Sequence, residues 1–263
     1  MKPLLDTLTL STLGAILRAS TILRFTRFHA FAVKSLEEQW SSALDDLEAQ
    51  SKPGAVEVAV LGRKCGVRSV LKRAFYEMAR LSGCGIDADE GEGTYVDNQV
   101  PAEESTHREA ISRLDERLLG RMREHLISTW AKHATRLDPS FVCPYRAYKL
   151  RKTNPTTEQP SSTAGRHSHN MASSASTSAP AGPIPAKCSS QSSKREAWDR
   201  LVHESGVYDD YIFDPICGLQ ELVEIEWEKE GWCEECVRVR RAVWKRAREK
   251  LWDRIGGWMR VDE

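Results

Sequence analysis

"AVEVAVLGRKCGVRSVLKRAFYEMARLS", residues 55–82, decides the fold class. Val56, Val60, Leu61 and Cys65 recur at the three- and four-residue spacing of one helix face. Gly66 stands where that helix would close in left-handed backbone, a conformation glycine adopts at little cost. Ser69 then offers a cap, and Leu71, Ala74, Phe75, Met78 and Leu81 draw a second apolar stripe. Two amphipathic helices on a short connection make a hairpin, and "SKPG" at 51–54 is a turn by composition that sets it apart from what precedes it.

The same pattern lies upstream. Leu10, Leu13, Ile16, Leu17 and Leu23 have helical spacing, and a break is expected near 24–26. Thr26 is placed to cap a second helix, with Phe28, Phe31, Ala32, Ser35 and Leu36 along one side. Residues 1–82 thus read as four helices in two hairpins. The opening "MKPLLDTLTLSTLGAILRAS" has the outline of a signal peptide, but Asp6 interrupts its apolar run and Arg18 ends it, so an amphipathic helix is expected instead. No stretch is apolar and long enough to span a bilayer.

Downstream, residues 84–106 carry Asp87, Asp89, Glu90, Glu92, Asp97, Glu103 and Glu104 with no Lys or Arg. "DADEGEG" has some features of a calcium loop. It lacks the oxygen ligand at the fifth position and has its glycine one place early, so a solvated acidic loop is expected. Thr106 and Glu109 have capping-box spacing, and Ile111, Leu114, Leu118, Met122, Leu126 and Trp130 continue as one long stripe. Pro139 stops it, because the residue before a proline is pushed out of helical backbone.

From 149 to 197 there is no aromatic residue, and Ser, Thr, Ala and Pro dominate. Such a stretch cannot bury enough apolar surface to offset the entropy of ordering, so 152–192 reads as a disordered polar insertion, with His167 and His169 solvated inside it. Order resumes at Ser193–Glu196, another capping-box spacing, ahead of Trp198, Leu201 and Val202. Asp214–Pro215 starts a helix through Leu219, Leu222, Val223 and Trp227, with Gly231 at its end. The last helix begins inside "CEEC" and runs past Trp244, Ala247, Leu251 and Ile255 to Gly256–Gly257. No strand alternation competes, so the expected fold is all-α: short hairpins plus long helices around a polar insertion. The expected division is a helical region 1–140, an insertion 141–193 and a C-terminal helical segment 194–263 that packs on the first.

Composition limits the function. The 38 basic and 38 acidic residues cancel, which argues against bulk phosphate binding as the main task. No Ser–His–Asp order, phosphate-cradling glycine loop or HExxH helix occurs, and the tryptophans concentrated after 197 suit core packing, so no enzyme is expected. Seven cysteines, odd in number and irregular in spacing, fit a reducing compartment, hence an intracellular protein of cytoplasm or nucleus.

The order of motifs is familiar. "LRASTILRFTRFHAFAVKSLEEQW", "VEVAVLGRKCGVRSVLKRAFYEMARL", "LDERLLGRMREHLISTW" and "DPICGLQELVE" followed by "GWCEECVRVRRAVWKRAREKLWDRI" resemble, in that sequence, the helical region that follows the BTB/POZ domain of fungal BTB-containing proteins. The resemblance covers most of 8–140 and 194–260. The BTB domain itself has no counterpart here, and the chain begins where it would have ended. What the resemblance implies is a set of BACK-like helical hairpins with a scaffold or adaptor role toward a protein partner, and no catalytic residues to carry over.

The chemistry-bearing residues are cysteines and arginines. Cys233 and Cys236, two residues apart at the start of a helix, supply half of a structural zinc site, where helix N–H groups favour thiolate. The resembling family carries a further cysteine pair between its third helical region and a tryptophan-bearing helix, which corresponds to Cys143 and Cys188 here. The alternatives are four reduced thiols or a redox pair. The redox pair is disfavoured by Glu234 and Glu235 between the thiols and by the lack of a thioredoxin-like context. Cys217 is a substitute ligand, and Cys65 and Cys84 read as core or helix-end residues. Arg238, Arg241, Lys245 and Arg248 form a stripe, widened by Arg240, Arg246, Lys250 and Arg254. The alternative function is therefore a zinc-stabilised nucleic-acid binder using the helix 236–255, against a solvated or acid-paired face.

Overall fold

Apolar stripes on successive helices can only be satisfied against one another, and the computed structural model, which describes residues 8–81, 111–139, 141–143 and 188–261, packs them that way. The described residues are helices and turns, with no strand. Helices α1 (Leu10–Leu23) and α2 (Thr26–Gln39) form the first hairpin, and α3 (Ala55–Cys65) and α4 (Leu71–Arg80) the second. The long α5 (Arg113–Ala134) lies against α4. In the C-terminal part α6 (Gln191–Trp198) continues into a π-helical turn, α7 (Pro215–Glu224) packs on α5, and α8 (Glu234–Trp258) crosses α4, α5 and α7. Leucines, valines and tryptophans from both ends of the chain make one continuous core.

Several boundaries differ from the sequence reading, each for a local reason. The first break falls at Arg24, held in left-handed backbone at φ 57°; Thr26 is already helical and caps nothing. Ser69 lies in a single 3-10 turn and donates its hydroxyl to Glu37, so α4 starts two residues later without a side-chain cap. Thr106 and Glu109 lie outside the described residues, and α5 is capped by Ser112, which accepts from the Asp115 N–H. Ser190, not Ser193, caps α6. Helix α7 ends at Glu224, and Gly231, at φ 74°, closes the 3-10 turn that follows. The Asp214–Pro215 start and the α8 start at Cys233 stand as read.

Val56, Leu81 and Phe28 are exposed although read as stripe members: α3 turns Val58, Ala59 and Leu61 inward, Leu81 lies just past the end of α4, and Phe28 shares its exposure with Ile22, Leu23 and Phe25 around the α1–α2 corner. Of the insertion, residues 144–187 lie outside the described residues, as do the acidic stretch 84–106 and both insertion histidines; its ends, Cys143 and Cys188–Ser193, are ordered parts of the helical body.

The tryptophans do pack as core. Trp198 stacks on Trp227 at 5.4 Å between centroids, and both rings meet Trp244. Their N–H groups need acceptors once buried. Trp198 donates to the Ala134 carbonyl and Trp227 to that of Leu222.

Candidate metal centre

Three separated pieces of chain converge beside this tryptophan cluster. Cys143 follows the end of α5 in the irregular stretch 141–143. Cys188 lies two residues before the Ser190 cap of α6, and the residue between them, Ser189, donates its N–H to the Gly231 carbonyl at 2.9 Å. That bond sets Cys188 against the turn leading into α8. Gly231 allows the turn, because its positive φ is one that other residues adopt only with strain. Cys233 is the residue before α8 and Cys236 lies in its first turn.

The four sulfurs lie within 4.8 Å of one another. Cys143 and Cys233 are 3.7 Å apart at Sγ, as are Cys188 and Cys236. A disulfide would need about 2.05 Å, and these cysteines are free. A tetrahedral ion bound at about 2.3 Å from each of four thiolates needs sulfur–sulfur edges of about 3.8 Å. The arrangement therefore fits a metal held wholly by protein, with no coordination position left open.

The surroundings point the same way. Lys194, on α6, is 1% exposed and donates from Nζ to the Cys236 sulfur at 3.1 Å. Its ammonium also lies 5.3 Å from the ring centres of Phe141 and Trp232. Among the described residues it meets no carboxylate, so its charge is answered only by sulfur and ring faces. Burial alone would lower its pKa, but hydrogen bonds and charge from Cys236 and Cys188 outweigh this and hold it above the ordinary lysine value. Burial pushes the Cys236 and Cys233 thiols up. For Cys188 burial is outweighed by the Cys233 N–H and Lys194, which bring it down to about 7. The cluster readily holds some negative charge, and a cation at its centre would allow it to hold the rest.

The cysteines predicted as ligands from sequence are thus brought together. Cys217 is elsewhere, buried in α7 with its thiol toward the Glu48 carbonyl, and is pushed up to about 12 by burial and then by Asp214. Cys65 is half-buried at the end of α3, and Cys84 lies outside the described residues. Lys194 was missed: in "QSSKREAW" it looks like any solvated helix lysine, and only the fold brings sulfur to it.

The arginine stripe separates into working parts. Arg241 donates to the carbonyls of Val223 and Ile225 at the end of α7 and pairs with Glu228. Arg248 reaches the Leu44 carbonyl and Asp45, and Arg238 pairs with Glu235. Arg240, read as part of a solvated face, is 7% exposed, with its guanidinium 4.0 Å from the centre of the Phe141 ring. Among the described residues no helix is long and apolar enough to cross a membrane. No protein-family model, curated protein or solved structure matches this chain.

Proposed function

We propose that this chain is a non-catalytic helical interaction module, a scaffold or adaptor akin to the region after the BTB domain in fungal proteins, working inside the cell. One structural zinc on Cys143, Cys188, Cys233 and Cys236 pins its C-terminal part. The reading is carried by one observation: four thiols from three chain segments lie within 4.8 Å of one another, close enough for one ion to meet all four, with a buried lysine as their counter-charge. A site whose ligands are all protein has no place for substrate or water, which suits holding rather than catalysis. Zinc is favoured over harder ions by a donor set of four soft sulfurs, and such a centre suits a reducing compartment.

The test is metal content. Purified protein should carry one zinc per chain. Cobalt substitution should give the intense ligand-field and sulfur charge-transfer bands of a four-thiolate site. Cys233→Ser should lose most of the metal and part of the thermal stability, whereas Cys217→Ser should keep the metal. Protein with far less than one zinc per chain and four thiols open to titration would remove the ion. The interaction role predicts a partner that co-purifies in fixed ratio after cross-linking.

A further inference from the structure

Two cavities, of about 440 and 360 Å³, lie end to end between α5 and α8 and share Lys132, His133 and Val243 in their walls. Together they make one groove. Lys132 and Arg136 stand on its α5 side, and Arg246, Lys250 and Arg254 on its α8 side. These five are exposed, and among the described residues their side chains make no ion pair or hydrogen bond. Arg240 lies deeper, with its Nε lacking any hydrogen bond and its Nη2 at 3.4 Å from Asp138, the one acidic residue in the lining. Glu249 and Asp253 share α8 but do not line the groove.

The groove is not only basic. Val243 is 39% exposed in its middle and Ala247 is half-buried beside it, with Leu137 and Leu251 buried beneath. From Arg240 to Arg254 the cations run about 21 Å along α8 at 1.5 Å per residue, the span of about six residues of extended peptide. A nucleic-acid strand would want ring faces for its bases, but Trp198 and Trp244 in the lining are buried. Basic rims over an apolar floor match a strand of carboxylates interrupted by apolar side chains.

We propose that this groove docks an acidic peptide segment of a partner protein, with its carboxylates on the Lys132/Arg136 and Arg246/Lys250/Arg254 rims and an aliphatic or aromatic side chain on Val243. The proposal rests on the interaction-module reading and supplies the partner's chemistry. Because the cations are solvated and face a common axis, the contact gains strength from their joint field and loses it with added salt.

Zinc-loaded full-length protein is titrated into a fluorescein-labelled twelve-residue peptide alternating Glu with Leu and Phe, and anisotropy is read. Saturable binding is expected, weakened about tenfold or more by the combined R246A/K250A/R254A variant and similarly by K132E/R136E. The same peptide with Gln for Glu should not bind. All five positions are exposed, so circular dichroism and Tm should match the parent. Unchanged affinity in both variants would overturn the proposal. So would tighter binding of a twelve-base-pair DNA that the same substitutions abolish. A tenfold gain in peptide affinity on making D87N/D89N/E90Q/E92Q would also overturn it, by giving the groove to the chain's own acidic stretch. A cross-linked partner whose capture ignores the groove variants would sink the groove and leave the module reading standing.

Discussion

Glu77 is wholly buried, which a carboxylate tolerates only when its oxygens are fully engaged. It accepts from Arg73 at 2.7 Å, from Arg80 at 3.1 Å and from the Lys52 N–H at 3.0 Å. Arg80 also pairs at 2.7 Å with Asp214, which takes the Tyr76 hydroxyl at 2.5 Å and caps α7. One polar network thus joins the second hairpin to the C-terminal half. Glu77→Ala would leave the buried Arg73 guanidinium without its carboxylate and Arg80 with Asp214 alone, and should cost about 3–5 kcal/mol in urea unfolding, with Glu77→Gln costing less. Glu77 is not part of the apolar stripe of α4, yet it is buried because α4 is enclosed on nearly every side. His133 gives a pH signature. Burial, then the charges of Lys132 and Arg240, hold its pKa below the ordinary value. The unfolded chain therefore binds the proton first as pH falls, and stability drops from about pH 6.5 downward through the lower native value. His133→Asn should flatten that part of the urea-midpoint profile relative to the parent.

At the scale of elements, α7 meets α5 at unusual closeness because residue 218 has no side chain. A Cβ there would lie 2.7 Å from the Trp130 ring and 2.6 Å from the Cβ of Tyr211. Gly218→Ala should destabilise by about 1–3 kcal/mol and shift the tryptophan emission, while Gly120→Ala, which meets nothing, should not destabilise. The existence of α1 to α8 was legible from apolar spacing and helix-start residues, whereas the single turn Val207–Asp210 is too short to show a stripe and was not read. The starts were less so. A Ser or Thr three residues before Glu recurs by chance in a serine-rich chain, and the cap that forms is chosen by where the chain is already anchored. Ser190 prevails over Ser193 because its neighbour Ser189 is bonded to Gly231. The Asp214–Pro215 start was read correctly because acceptor and proline act locally, whatever surrounds them.

Across the whole molecule, the described parts of 1–140 and of 194–263, the latter read as packing on the former, share one core, with α8 lying across both. The four cysteines could be picked out as a set, two by their spacing before α8 and two by family likeness, but the lysine beside them and the groove between α5 and α8 could not. Both depend on which faces meet, and sequence spacing describes each helix alone. Cys143 and Cys188, which bound the span 144–187, have their sulfurs within 4.8 Å of one another. The two ends of that span are thereby held together, as by a clasp, and lengthening a span between fixed ends adds only a slowly growing entropic cost. The span is thus a natural hitching point: a reporter or binding domain grafted there would ride on the helices without prying them apart, for as long as the clasp stays fastened.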